Sequence, residues 1–512
     1  MKDELKMSPV LAMYDVRGIQ RYIFSTNRVR DIIGASNLVE NILQNGLDAA
    51  SAFMKEKEQG GQYLVNWTED DPEAFLKDDA TQMQVLFIGG GNAYVAFRSG
   101  AICAEVNRFL GKYILSHTYS LNLAVAVVEN TGDYKKDYSA LHARMREIKA
   151  LMPETKPTGA FPFMEVDSVT GYPLAKYDKG AQEYVSTEAY LKRKHLRSDS
   201  ETKVLDEMVS QKGDNSVLAV VHIDGNGMGN RIREIMQEKT SYPEAVRAMR
   251  EISKRLKKEF EDCYRKMCEA VDEMSDTIRP DSKGRLYRRI IVAGDDITFV
   301  CNAKVAVYAV EAFLNCVNDK VMYLEKGLSE AENKRKYGLS ACAGIAFFHS
   351  HFPFSVAYEV AEHCCSSAKR VAKLPENRNK DGMIGSYVDY QLCYHVTATD
   401  LNIYREKHYR MPDGEMMTKR PYFVGGAGCN EGADRAEKLE TLWKNLSVFK
   451  NEDGGRSRYK KLRNVFSFGM QEVDKEIVFL ESRAVRLPDT DKYSWYDALE
   501  IMDICERGGA KS

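Results

Sequence analysis

The sequence lacks any C-x-x-C pair, although it contains eleven cysteines among its 512 residues. Zinc ribbons and zinc fingers take their ligands from such pairs, so the absence argues against either kind of site. The cysteines are scattered and odd in number. We therefore expect most of them to be small apolar core residues of a cytoplasmic protein.

A long apolar run and an excess of one charge are also missing. No segment approaches the roughly 18–20 apolar residues that cross a bilayer. The first residues, MKDELKMSPV, show neither the apolar core of a signal peptide nor a transit pattern. The 73 Lys and Arg nearly balance 75 Asp and Glu, which argues against binding a polyanion through bulk charge. We expect a cytoplasmic protein without a membrane partner.

The residues that are present predict two similar sheets. The apolar run VLAMYDV (10–16), the glycine-centred hairpin QVLFIGGGNAYVAF (84–97) and the strand LNLAVAVVE (121–129) alternate with helical patterns. SVLAVVHID (216–224) and the hairpin LYRRIIVAGDDITFVCN (286–302) repeat that order. A β-α-β-β-α-β order is typical of a ferredoxin-like palm domain. We predict an α+β fold with two such domains plus small helical domains.

The expected domain boundaries follow from these patterns. They are 1–151 for a first palm domain, 152–213 for a connector rich in Pro and Gly that lacks cysteine, 214–400 for a second palm domain and 401–512 for a C-terminal helical domain.

Three aspartates are the strongest candidates for chemistry. Asp224 ends an apolar strand, and Asp295 and Asp296 lie in the turn of an apolar hairpin. If the strands are neighbours, the three carboxylates share one edge, which is unfavourable unless a cation joins them. Oxygen ligands of this kind suit Mg²⁺ or Mn²⁺, and two such ions could activate a ribose hydroxyl and stabilise a leaving pyrophosphate. An aspartate beside a glycine also forms ordinary turns, and for AGDD alone that alternative is equally good.

Glycines and a lysine are weaker candidates. Gly225, Gly227 and Gly229 follow Asp224, and backbone without Cβ atoms can approach a triphosphate closely. Lys369, near the end of a predicted helix, could supply a positive charge to phosphates, although a solvated lysine on a helix face is the more common situation.

Several motifs in one order resemble the large polymerase-cyclase subunit of type III CRISPR effector complexes. They are DVRGIQRYIFSTNRVRDIIGASNLVE (15–40), GGGN (89–92), HIDGNGMG (222–229), AGDD (293–296) and the segment LSACAGIAFFHSHFPF through AEHCCSSAKR (339–370). The resemblance covers roughly residues 8–400. It implies two nucleotidyl cyclase-like palm domains that convert ATP into cyclic oligoadenylates when target RNA is bound.

The resemblance also implies residue roles. Asp224, Asp295 and Asp296 would be the catalytic, metal-binding carboxylates, with Gly294 shaping the turn. Ser340 would lie near the base or ribose, and Lys369 would contact phosphate. In the first palm domain, Arg30, Gly34 and Ser36 would face the second nucleotide. Guide RNA, target RNA and effector-complex subunits are the implied partners.

Departures from the family's motifs suggest that this chain is a reduced version of the polymerase-cyclase subunit. Ala293–Gly294 replaces the usual double glycine, and the sequence contains no His-Asp pair, so we expect no nuclease activity. The GGGN hairpin has no acid, so the first palm domain is expected to hold a degenerate site in which Asp15 stands alone.

Two other functions stay open at this point. One is a cyclase that makes a cyclic dinucleotide as a homodimer, like the GGDEF-type enzymes, and the other is a catalytically silent, RNA-binding scaffold. Three basic runs could line an RNA groove or be solvated helix faces: LKRKHLR (191–197), RIREIMQEK (231–239) and RSRYKKLR (456–463).

Overall fold

The computed structural model describes residues 8–57, 60–89, 91–152, 160–196, 208, 216–239, 241–278, 285–379, 382–393, 400–426, 437–451 and 455–508. The chain divides into two compact units. The first is Met1–Thr202 with Gly227–Lys258, and the second is Lys203–Asn226 with Glu259–Ser512. None of the described helices combines the length and the apolar character that crossing a bilayer requires.

The first unit contains a five-stranded sheet in the order β2-β3-β4-β1-β5. Its strands are β1 (Val10–Arg17), β2 (Gln62–Leu64), β3 (Thr81–Gly89), β4 (Asn92–Phe97) and β5 (Asn122–Glu129). β1 pairs antiparallel with both β4 and β5. The run from Val10 to Tyr14 is buried because both neighbouring strands and the helices cover it.

Helices pack beside this sheet, and some of them begin at a polar side chain that caps the first turn. The Ser99 hydroxyl accepts from the backbone N–H of Ile102, and Asp133 accepts from those of Lys135 and Lys136. The helices that begin in the first unit are α1 (Ile19–Phe24), α2 (Val29–Val39), α3 (Ile42–Lys57), α4 (Ala74–Lys77), α5 (Gly100–Thr118), α6 (Tyr134–Leu151), α7 (Thr187–Arg193), α8 (Met228–Gln237) and α9 (Tyr242–Asp272).

The connector forms a small hairpin and helix α7. The hairpin pairs β6 (Leu174–Asp178) with β7 (Glu183–Ser186). In α7, Arg193 Nε donates to Asp31 Oδ1 at 2.5 Å, and Lys192 Nζ donates to Glu188 Oε1 at 2.6 Å. Both basic side chains are almost fully buried.

The second unit contains a six-stranded sheet in the order β13-β12-β11-β8-β10-β9. Its strands are β8 (Val217–Gly225), β9 (Tyr287–Ala293), β10 (Asp296–Asn302), β11 (Ala341–His349), β12 (Ser386–Leu392) and β13 (Tyr422–Gly425). The helices that begin in this unit are α10 (Ser275–Ile278), α11 (Ala306–Asn318), α12 (Glu330–Tyr337), α13 (Phe354–Ala372), α14 (Leu401–Tyr409), α15 (Leu439–Phe449), α16 (Arg456–Val465), α17 (Met470–Ser482) and α18 (Trp495–Ile501).

The two sheets share a four-strand arrangement. β3-β4-β1-β5 in the first sheet has the same chain order and neighbours as β9-β10-β8-β11 in the second. In each sheet a hairpin lies on one side of the first strand, and a later antiparallel strand lies on the other. The predicted α+β class is confirmed.

The predicted domain boundaries remain a prediction. The second sheet extends across the boundary expected at residue 400. β13 lies beyond residue 400 and pairs antiparallel with β12, so the sheet continues into the 401–512 segment.

Candidate active site

The pairing of β8 with β10 brings two predicted aspartates together. Asp224 and Asp296 are direct partners in this antiparallel ladder. Side chains of directly opposite residues point to the same face, with Cβ atoms about 4.5–5.5 Å apart. The two carboxylates therefore lie side by side at the end of the β8–β10 pair.

The hairpin turn adds the third carboxylate. β9 ends at Ala293 and β10 begins at Asp296, and these two residues pair, which leaves a two-residue turn of Gly294 and Asp295. Gly294 has a φ of +66°, a left-handed conformation that glycine adopts at little cost. Loss of hydration, followed by the charges of Asp224 and Asp296, raises the pKa of Asp295 to about 6. The acids thus act electrostatically on one another.

Lys369 is the cation at this site. It lies on α13, and its Nζ pairs with the carboxylate of Asp224 and donates to the backbone oxygen of Gly225 at 3.0 Å. The helix can approach the sheet because Gly344 in β11 has no side chain. A Cβ there would overlap the carbonyl oxygen of Ala361 and the amide nitrogen of Cys365. Close packing of α13 therefore carries Lys369 to Asp224.

Two residues that the sequence analysis did not single out support the acids. His222 lies two residues before Asp224 on the same face, and its Nδ1 is 3.3 Å from Thr298 Oγ1 and 3.6 Å from Asp296 Oδ1. Burial lowers the pKa of this histidine. The alternation of side chains along β8 is the signal that places His222 beside Asp224.

Asn226 is the second supporting residue. Its Nδ2 donates to Ser340 Oγ at 3.2 Å and to the Gly385 backbone oxygen at 3.0 Å. Its backbone N–H donates to the Ser340 carbonyl at 2.9 Å. Ser340, predicted to lie near a base or ribose, is buried and hydrogen-bonded to Asn226. Together these contacts hold the chain just after Asp224, and no short sequence pattern reveals a network between such distant residues.

The remaining predicted site residues belong to the first unit. Gly227 has a φ of +67° and precedes α8, and Gly229 lies in the first turn of that helix. Gly34 is buried in α2, where a Cβ would overlap the carbonyl oxygen of Lys192 in α7. Arg30 Nη1 lies 3.9 Å from Asp178 Oδ2, and Ser36 is partly exposed. The observed contacts of Gly34 explain a packing role, and the nucleotide contacts of these residues stay predictions.

The first sheet has the same arrangement with two of the three acids missing. Asp15 in β1 is paired with Asn92 in β4, in the position where Asp224 faces Asp296. Lys149 of α6 contacts Asp15 at 2.5 Å, as Lys369 of α13 contacts Asp224. A single carboxylate balanced by one lysine has no excess negative charge to attract a cation.

The acids of the second sheet fit a divalent ion that shares its ligands with substrate. Within the described residues, no group of three His, Cys, Asp or Glu is arranged to hold a metal alone. Mg²⁺ is commonly bound by one or two carboxylates plus water and substrate phosphates. The Asp224–Asp296 pair and the raised pKa of Asp295 match this requirement.

Several cations of the first and last basic runs are engaged in ion pairs. Besides Lys192 and Arg193 in the first run, Lys461 pairs with Glu476 at 2.7 Å, and Lys460 pairs with Asp503 at 3.0 Å. Tyr459, the aromatic residue within the last run, is fully buried and cannot stack on a base. Because Lys192 and Arg193 are buried in ion pairs, they do not line an open basic groove.

Comparison with known proteins finds a family that is similar to the segment with most of the second sheet. Residues 217–381 match the family model of Cas10/Cmr2, second palm domain. No curated protein sequence matches the chain significantly.

Solved structures of a Csm1–Csm4 cassette are also similar to the chain. The complex with one ATP matches at 15% identity and a TM-score of 0.45, covering 97% of this chain and 70% of the matched chain. The complex with cA4 matches at 13% identity and a TM-score of 0.42, covering 98% and 70%. The family match includes Asp224, Asp295, Asp296 and Lys369, so the candidate site lies within the segment that is similar to the Cas10/Cmr2 second palm domain.

Proposed function

We propose that the protein is a metal-dependent nucleotidyltransferase that converts ATP into cyclic oligoadenylates in antiviral defence of the type III CRISPR kind. The observation that carries the proposal is the pairing of Asp224 with Asp296 beside Asp295 at one end of the palm sheet. Such a concentration of carboxylates is costly for a purely structural role. It suits a site that binds a cation together with a triphosphate.

The residues have distinct roles in this proposal. Asp224 and Asp296 would hold the ions, and Asp295 would add negative charge from the turn. Two bound Mg²⁺ or Mn²⁺ ions would favour ionisation of a ribose 3′-hydroxyl and neutralise the leaving pyrophosphate. His222, whose Nδ1 is 3.3 Å from Thr298 Oγ1, lies 3.6 Å from Asp296 Oδ1 and limits the space open to that carboxylate. The new bond joins the 3′-oxygen to the α-phosphorus, and the bond to pyrophosphate breaks.

Lys369 changes partners in this proposal. Without ligand it neutralises Asp224 and contacts the Gly225 carbonyl. Cations at Asp224 would repel the ammonium group, which then reaches the phosphates of the incoming nucleotide. The lysine thus offsets the repulsion among the three carboxylates when no nucleotide is bound.

The experiment compares isosteric variants in the two sheets. The full chain is incubated with ATP and Mg²⁺ or Mn²⁺, with and without target RNA and effector subunits, and products are identified by mass spectrometry. We expect Asp296→Asn to reduce product by at least about 100-fold, because even residues that only support metal ligands contribute about 10–100-fold. The matched control is Asp15→Asn, at the corresponding position of the first sheet, which should keep product formation.

Three results would contradict the proposal. They are no phosphodiester product under any condition, an Asp296→Asn variant equal to the parent, and an equal loss in the Asp15→Asn control. A cyclic dinucleotide as the only product would instead indicate the homodimeric GGDEF-like cyclase. Nucleotide binding without turnover would indicate the silent scaffold.

A further inference from the structure

Two thiols meet between helices α9 and α11 of the second unit. Cys263 Sγ donates to Cys316 Sγ at 2.7 Å, although 53 positions separate the residues along the chain. The helices also pack through Phe260 and Phe313, whose ring centroids are 6.2 Å apart. Both cysteines are free thiols. The helix packing therefore holds two sulfur atoms in direct contact.

The surroundings make the two thiols unequal. Cys263 is fully buried, whereas Cys316 is partly exposed. The hydrogen bond from Cys263, assisted by the charges of Lys266 and Lys320, lowers the pKa of Cys316 to about 7, although burial opposes this shift. The hydrogen bond to Cys316 and burial raise the pKa of Cys263. A partly exposed thiol with a lowered pKa next to a buried thiol is the arrangement of an attacking and a resolving cysteine.

We propose that Cys263 and Cys316 are a reversible redox pair that closes to a disulfide in the presence of a peroxide. The Cys316 thiolate attacks one peroxide oxygen, the O–O bond breaks, and the other oxygen leaves as water after taking a proton. Cys263 then attacks the sulfenic sulfur, forming the S–S bond, and the hydroxyl leaves as a second water with the Cys263 proton. A dithiol reductant restores both protein thiols by thiol–disulfide exchange and is itself oxidised to a disulfide.

The disulfide would enclose the part of the chain that carries two site acids. Residues 264–315 include β9, β10 and the Asp295–Asp296 turn. Closing this loop removes conformational freedom from the unfolded chain, so oxidation should stabilise the second unit. The pair does not depend on the proposed catalytic function, because neither thiol contacts Asp224, Asp295 or Asp296 in any described interaction.

The test uses the folded full chain. The protein is treated with a small excess of hydrogen peroxide, free thiols are alkylated, and the chain is digested with trypsin without reduction. We expect a disulfide-linked peptide of residues 259–265 and 305–320, which disappears after dithiothreitol treatment. Cys316→Ser should abolish this peptide, and circular dichroism checks that the variant is folded.

Cys268, which lies on α9 together with Cys263, provides the matched control. Cys268 is also partly exposed, but burial raises its pKa to about 11. In the parent, an aromatic disulfide reagent at neutral pH should label Cys316 at least about 10-fold faster than Cys268. Cys268→Ser should leave formation of the linked peptide unchanged. Absence of the linked peptide in the oxidised parent, or labelling of Cys316 no faster than Cys268, would overturn the proposal.

Discussion

At the scale of single residues, Gly344 shows how an absent side chain positions a charged one. It lies in β11, where the backbone of α13 occupies the space that a Cβ would need. The same helix presents Lys369 to Asp224 and Cys365 to the Cys342 carbonyl, which accepts from its Sγ at 3.2 Å. A larger residue would move the whole helix, and Lys369 with it.

The first residue-scale prediction concerns Gly344→Ala. Overpacking typically costs about 1–3 kcal/mol, and because backbone atoms are involved here we expect a loss at the upper end. Urea unfolding measures it. Gly111→Ala is the control, since nothing lies within 4 Å of its Cβ position in helix α5. Alanine should stabilise that helix by up to about 1 kcal/mol. Equal stability of the two variants would contradict the packing explanation.

At the scale of elements, helix α7 shows that a basic run can be internal. Arg193 contacts Asp31, Asp178 and Glu183 at 2.5, 2.7 and 2.9 Å. Lys192 pairs with Glu188 and lies 4.1 Å from the ring centroid of Tyr22. The contact of Gly34 with the Lys192 carbonyl completes the packing of α2 against α7. The helix is an anchor for the connector within the first unit.

The element-scale prediction is that Arg193→Met destabilises the protein by about 3–5 kcal/mol, because it leaves the buried Asp31 without its cation. Chemical denaturation measures this. Adding Asp31→Leu should recover a large part of the loss, since both buried charges are then gone. Lys194→Met, one residue along on the exposed side, is the control and should change stability by less than about 0.5 kcal/mol. An Arg193→Met variant as stable as the parent protein would contradict the anchoring role.

At the scale of the whole molecule, the C-terminal segment is part of the second unit's interior. Arg420 is fully buried and contacts Glu500 of α18 at 2.5 Å and Asp497 at 3.3 Å. Asp497 Oδ2 also accepts from the Tyr422 hydroxyl of β13 at 2.6 Å. In a second buried ion pair, Arg405 of α14 contacts Asp389 of β12 at 2.8 Å. These buried charges tie the last helices to the edge of the palm sheet.

The whole-molecule prediction is that Asp497→Ala lowers the stability of the second unit by about 3–5 kcal/mol, because Arg420 loses a buried partner. Trp443 and Trp495 are buried in this unit, so tryptophan fluorescence in denaturant reports its unfolding. Asp503→Ala removes exposed ion pairs to Arg456 and Lys460 and should cost no more than about 1 kcal/mol. If the two variants unfold at the same denaturant concentration, the segment does not support the sheet.

Local sequence patterns specify most of the elements that carry the site. Apolar runs of the right length marked β1, β8 and the β9–β10 hairpin, because side-chain periodicity is a local property. Helix α12 (Glu330–Tyr337) is not among the helices predicted from the sequence. Its signal was present as Ser329 and Glu332, which form a capping box.

Tertiary structure alone decided what these elements bring together. The register that sets Asp224 opposite Asp296, the contact of Lys369 with Asp224, the burial of Arg193 and the meeting of Cys263 with Cys316 all join residues far apart in the chain. Such contacts depend on how sheets and helices pack, and a local pattern cannot specify that packing. A basic run therefore looked exposed in the sequence and is partly buried, and scattered cysteines that looked inert include a pair in contact.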